Sequence, residues 1–170
     1  MLDHPGPTGT IVIAALKQAG IRFVAALPDI VTSDGLLWPI SRDPDLRLVR
    51  LCKEDGGVAI CAGLAATGVR AVLMMQQTGL MDSLNAIRAV AMDYRQPIVM
   101  LVGLQGKERD RAASDSASYG VRIVGPVLDA MGLDRIAIEA PGDEALLAPA
   151  IERAYSESRP VIALIGRPVA

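Results

Sequence analysis

Two hydrophobic periods alternate along the chain. Stretches with apolar residues three and four apart lie between short runs of aliphatic, often β-branched residues. That alternation is the signature of a parallel α/β sheet. Residues 8–18 predict a helix, with Ile11, Val12, Ala14 and Ala15 apolar and Gly20 as its stop. Residues 21–27 predict a buried strand ended by Pro28-Asp29, and 36–41 a short helix or turn. Residues 46–52 set Leu46, Leu48, Val49 and Leu51 against Arg47 and Arg50, which predicts a strand. Residues 55–67 carry Val58, Cys61, Ala62 and Ala65 at helical spacing, with Gly68 beyond them as a stop. A strand over 71–75, a helix over 83–94 and a strand over 98–102 follow.

Residues 103–120 break the alternation. They hold the charge cluster Lys107, Glu108, Arg109, Asp110 and Arg111, then Ser114, Ser116 and Ser118. A loop of that length in a compact domain is usually functional or disordered. Beyond it the pattern resumes with a helix over 121–131 ended by Gly132 and a strand over 135–139. A helix over 143–156 and a last strand over 161–165 complete it. There is no internal repeat, low-complexity tract or linker. The expectation is a single α/β domain over residues 1–170, three-layered and doubly wound, with about six parallel strands and helices on both faces. Such sheets bind ligands at the carboxyl ends of their strands, near the topological switch point. The residues to weigh are therefore Pro28-Asp29, Lys53-Glu54-Asp55, Gln76-Gln77-Thr78-Gly79 and the stretch from Gly103 to Gln105.

Composition narrows the function classes. The 170 residues are 51% hydrophobic and 21% charged, enough for one sizeable core. Only 3% are aromatic, so the core must be aliphatic and an aromatic platform for nucleic-acid bases is disfavoured. A net charge of -2 gives no global attraction to phosphate backbones or anionic membranes. The longest uncharged stretch, 56–69, is interrupted by glycine and falls short of the roughly 20 apolar residues of a membrane span. The N-terminus lacks a basic region followed by an apolar one, so a cytoplasmic protein is expected.

Several chemistries lack their residues. Cys52 and Cys61 form no Cys-x-x-Cys pair, which leaves neither a disulfide framework nor a zinc site to expect. The only histidine, His4, lies in a Pro/Gly-rich tail that a Ser-His-Asp or Cys-His mechanism would have to recruit. No Walker loop is present, and no Gly-x-Gly-x-x-Gly follows the first strand. Pro141-Gly142-Asp143-Glu144 reads as a loop and helix start, where acids suit the dipole, and no metal ligands are expected.

Two strand ends remain. Glu54 precedes a helix that opens Gly56-Gly57, a locally unfavourable pair that makes sense if something bulky approaches the backbone. Glu54 is then either a solvated helix-start acid or a carboxylate at the ligand edge. Gln77-Thr78-Gly79 is either an ordinary strand-to-helix turn, with Asp82 or Ser83 capping the next helix, or a tight loop held against a flat ligand.

These residues carry a resemblance. The runs Leu51-Cys52-Lys53-Glu54-Asp55-Gly56-Gly57-Val58-Ala59-Ile60 and Met75-Gln76-Gln77-Thr78-Gly79-Leu80, then Ser83-Leu84-Asn85-Ala86, resemble the pyrimidine-binding domain of thiamine-diphosphate-dependent decarboxylases. Leu27-Pro28-Asp29, Gly120-Val121-Arg122 and Leu128-Asp129-Ala130-Met131-Gly132 fit the same pattern, which covers nearly the whole chain. The branch it most resembles acts on sulfopyruvate or phosphonopyruvate. The resemblance implies a thiamine-diphosphate-binding fold and a decarboxylase of 2-oxo acids. It implies that Glu54 hydrogen-bonds the cofactor's aminopyrimidine and that Asp29 transfers protons. It places Gln77, Thr78 and Gly79 beside the pyrimidine, with Asn85 on the next helix. An anionic substrate of this branch calls for cations, and Lys107, Arg109, Arg111 and Arg122 are the candidates. A carboligase on the same cofactor, or a non-catalytic regulatory or scaffold module, are the competing readings.

The chain departs from that pattern at Met81-Asp82, where Gly-Asn is usual, and at Gln105-Gly106, where Arg-Gly is common. It also lacks the Gly-Asp-Gly motif that, in this family, holds the diphosphate through Mg2+. The resemblance therefore implies a hetero-oligomer, with a separate beta subunit binding the diphosphate and metal and the active site between the two.

Overall fold

A computed structural model of the chain describes residues 6–169. Six strands, β1 (Phe23–Ala26), β2 (Arg47–Arg50), β3 (Ala71–Gln76), β4 (Val99–Gly103), β5 (Asp134–Ile138) and β6 (Val161–Ile165), form one sheet. Every pairing is parallel, and the order is β2-β1-β3-β4-β6-β5. Among the described residues, eight α-helical segments accompany them: α1 (Gly9–Gln18), α2 (Trp38–Ile40), α3 (Glu54–Ala66), α4 (Gln77–Asp82), α5 (Leu84–Ala86), α6 (Tyr119–Arg122), α7 (Val124–Ala130) and α8 (Leu147–Glu157).

The alternation of side chains along the strands builds two cores. Val24, Ala26, Val72, Met74, Leu101 and Ala163 face α1, α8 and the segment around Leu36, Leu37 and Ile40. Ala25, Leu73, Met75, Met100, Val102 and Ile162 face α3, α4 and α7 on the other side. Successive residues of a strand point to opposite faces, so continuous aliphatic strands such as β3 and β4 feed both layers. The three-layer doubly wound fold and its six parallel strands are as the sequence predicts. Gly20, Gly68 and Gly132 all have positive φ where the predicted helices stop.

The helices differ from the sequence reading in their details. Residues 83–94 are not one α-helix. α5 is a single turn that widens into a π-helical stretch over Ile87–Asp93. The predicted helices over 121–131 and 143–156 are likewise divided, the first between α6 and α7, the second into a 3-10 turn over Asp143–Leu146 and then α8. No helix among the described residues is long and apolar enough to cross a membrane. His4 lies outside the described residues.

Chain order reverses beside β1. The connection after β1 packs on the first face, while α3, after β2, packs on the second. The chain then returns to β3 on β1's far side. The switch point thus lies between β1 and β3, where the segments that follow them leave the carboxyl end of the sheet on opposite faces, and Glu54 arrives from the neighbouring β2.

Candidate active site at the carboxyl edge of the sheet

Glu54 is the first residue of α3, after an extended Lys53. Its side chain lies over Gly79 in α4, and a Cβ at Gly79 would overlap its Cγ, Cδ and Oε1. The absence of a side chain at 79 is therefore what admits the carboxylate. Glu54 is half-buried, and among the described residues it has no hydrogen-bond or ion-pair partner. The fully buried Leu80 follows Gly79 and makes the neighbourhood apolar.

The two glycines of α3 have different reasons. A Cβ at Gly57 would overlap the methyl groups of Leu73 and Leu51, so Gly57 serves core packing. Gly56 faces open space, with no atom within 4 Å of where its Cβ would stand. Only Gly56 matches the expectation of a backbone left open to approach.

Gln77-Thr78-Gly79 is not a loop. β3 runs straight into α4, with extended Gln76 as the N-cap and Gln77 as the first helical residue. Neither Asp82 nor Ser83 caps the next helix by a side-chain bond. Gln77 is 4% exposed. Its Nε2 donates to the Gln105 carbonyl at 2.8 Å and its Oε1 accepts from the Gln105 N–H at 2.8 Å. Thr78 is exposed and its hydroxyl accepts from Gln76 Nε2 at 2.9 Å. Asn85 is also exposed, and its Oδ1 accepts from Arg88 at 3.1 Å.

Asp29 reaches the same edge but is occupied with its own turn. It is 5% exposed. Oδ1 accepts from the N–H of Val31 at 2.6 Å and of Thr32 at 3.3 Å, and Oδ2 accepts from the Thr32 hydroxyl. The turn nests where Gly103 ends β4, since a Cβ there would stand 2.6 Å from Asp29 Oδ1.

The four candidate cations are spread out. The Lys107 side chain is 1% exposed, paired with Glu139 at 3.1 Å and donating to the Arg111 carbonyl at 2.9 Å. Arg122 donates to the Ser116 carbonyl at 2.5 Å and stacks over Tyr119. Arg109 and Arg111 are exposed in the segment between them. That segment is built rather than loose. Glu108 accepts from the Ser116 hydroxyl at 2.6 Å and the Ala117 N–H at 2.8 Å. The Ser116 hydroxyl above all, then the N–H groups of Glu108 itself and of Ala117, holds the Glu108 carboxyl down at about 2.

Two arrangements have no clear signal in the sequence. One is the Gln77–Gln105 pair. The other concerns the departure at Asp82, whose carboxylate sits 3.1 Å from Lys53, which also pairs with Asp55 at 2.9 Å. The charge introduced at position 82 is thereby matched locally. Cys61, in α3, is buried, and burial pushes its thiol up to about 12, which makes it an inert core residue.

No protein-family model matches the chain. Curated relatives do. A Methanosarcina acetivorans protein named sulfopyruvate decarboxylase is 29% identical over 155 residues, which cover 91% of this chain and 39% of that protein. Sulfopyruvate decarboxylase subunit alpha of Methanothermobacter thermautotrophicus is 32% identical over 97 residues, 57% of this chain and 58% of its own length. Its Methanococcus maripaludis counterpart is 26% identical over 103 residues, 61% of each chain. The chain thus spans two-fifths of the first relative and about three-fifths of the others. In sequence, the chain is similar to sulfopyruvate decarboxylase and to that enzyme's alpha subunits.

Proposed function

We propose that the chain is the pyrimidine-binding alpha subunit of a thiamine-diphosphate-dependent decarboxylase of anionic 2-oxo acids, with sulfopyruvate as substrate. The observation that carries this reading is Glu54: a half-buried carboxylate with no partner among the described residues, laid over a glycine at the carboxyl edge of the sheet. The names of the relatives point the same way.

The residues fit the pyrimidine end of the cofactor. Glu54 offers an unspent acceptor to a ring N–H, and Gly79, by lacking a side chain, makes the room in which that carboxylate lies. A charge-assisted hydrogen bond in such a place is about twice as strong as a neutral one. The cofactor, when bound, supplies the nucleophile and the electron sink for loss of carbon dioxide. With the cofactor bound, Glu54 would set the proton balance of its pyrimidine. Among the described residues no three acidic, thiol or imidazole groups converge as a metal site, and the reading assigns Mg2+ and the diphosphate to a beta subunit.

α3 supports a partner at this edge. Beyond Glu54 and Asp55 the helix has no charged residue, yet Gly56, Ala59, Ile60, Gly63 and Ala66 are exposed. A helix apolar on all sides is normally buried. Because this face begins beside Glu54, its occupant in the reading is the diphosphate-binding subunit.

The test combines the chain with its beta subunit, thiamine diphosphate, Mg2+ and sulfopyruvate. Decarboxylation is expected only with both subunits, and Glu54→Gln is expected to lower kcat by about 10²–10⁴-fold. Full activity of the chain alone, or an unaffected Glu54→Gln complex, overturns the reading.

A further inference from the structure

The carboxamide of Gln77 meets the peptide of Gln105 as one peptide group meets another. It donates to the carbonyl and accepts from the N–H of the same residue, each at 2.8 Å. Both of its functional atoms are thus directed at backbone, in a buried position where a lost hydrogen bond is costly. A side-chain amide supplies a donor and an acceptor side by side, as a peptide group does.

The two elements it joins differ in content. Gln77 opens α4, two residues before the Gly79 on which Glu54 rests. Gln105 opens the irregular segment after β4. The root of that segment is fixed by the Leu104 N–H on the Ile165 carbonyl at 2.9 Å. Beyond Gln105, Gly106 turns the chain with φ +86° and Lys107 buries its ammonium against Glu139. The segment then exposes Arg109, Asp110 and Arg111.

We propose that Gln77 is a positioning residue: its clasp on Gln105 sets where the arginine-bearing segment 107–111 stands relative to Glu54, so that Gln77 acts on recognition of the substrate's distal anion through this segment and not by touching the cofactor. The substrate half of this inference rests on the function proposed above; the clasp itself does not.

Two variants test it. Gln77→Glu keeps the shape but turns a second oxygen toward the Gln105 carbonyl, and Gln77→Met leaves both peptide groups without a partner. In the isolated full-length chain, trypsin cleavage after Lys107, Arg109 and Arg111 is expected to rise about tenfold in both variants, as the segment opens locally. In the complex with beta subunit, cofactor and Mg2+, the loss is expected on KM for sulfopyruvate, about tenfold, and not on kcat or on the Kd of thiamine diphosphate. Unchanged cleavage overturns the clasp. A raised cofactor Kd with an unchanged KM overturns the positioning role and makes Gln77 a cofactor contact. If the wild-type complex decarboxylates no 2-oxo acid, the functional reading fails while the cleavage result still decides the clasp.

Discussion

Carboxylates reach the carboxyl edge of the sheet from several strands, and three of them, Asp29, Glu108 and Glu144, have their oxygens engaged. Asp29, after β1, binds two backbone N–H groups and a hydroxyl. Glu108, after β4, binds Ser116 and Ala117. Glu144, after β5, is buried and accepts from the N–H of Thr8 and of Gly142, each at 2.6 Å. Burial alone would raise the Glu144 carboxyl, but those N–H donors outweigh it and hold it below its ordinary value. Glu54, after β2, has no such partners among the described residues. Asp29, Glu108 and Glu144 stiffen loops, whereas Glu54 leaves its hydrogen-bonding capacity for something else. The contrast sets three structural acids apart from the one that the proposed function uses more sharply than their positions do, since all four stand at one end of one sheet.

That contrast can be broken by substitution. The largest expected effect is on activity. Glu54→Gln should cost about 10²–10⁴-fold in kcat of the assembled enzyme yet move stability by no more than about 0.5 kcal/mol. A comparable loss of stability would place Glu54 with the structural acids. Next is Lys107→Ala, which strips a buried ammonium from Glu139 and from two backbone carbonyls. Because Glu139 is partly exposed, about 2–3 kcal/mol is expected, read as a shift in the urea midpoint at constant slope. Asp29→Asn should cost about 1–2 kcal/mol by weakening its turn. If it instead abolishes kcat with the fold intact, Asp29 joins Glu54 in the chemistry.

The smallest effect is a titration. Glu108 has its carboxyl lowered to about 2, so its hold on the segment is complete above its ordinary value of 4.5 and is lost only as the pH falls toward 2. The Ala117 amide proton, followed by NMR, should therefore keep its neutral-pH position at pH 4. A midpoint near 4.5 would show that Glu108 is solvated like an ordinary surface acid.

The architecture was legible because hydrophobic period is a local property of sequence. Runs such as Val72-Leu73-Met74-Met75 and Val99-Met100-Leu101-Val102 can hardly sit anywhere but between two layers. The position of Glu54 at a strand end was legible for the same reason. Its relation to Gly79, 25 residues on, was not, because side-chain overlap depends on how two helices approach. The Gly56-Gly57 pair misled in part: adjacent glycines look alike in sequence, but a helix turns one toward Leu73 and the other outward. The Gln77–Gln105 clasp carries no periodic trace, since one amide among many polar residues says nothing of its partner until β3 and β4 are adjacent.

β2, the strand that delivers Glu54, is four residues long and pairs only with β1, at the margin of the sheet. Its residues are exposed or half-buried, while those of β4 and β6 are buried throughout. Marginal strands open at lower free-energy cost than central ones. Heat should therefore fray the tether of Glu54 before it melts the molecule. In the proposed complex, thermal inactivation would then run ahead of unfolding, and the proposed subunit across α3 would protect activity at temperatures where the global melting point barely moves.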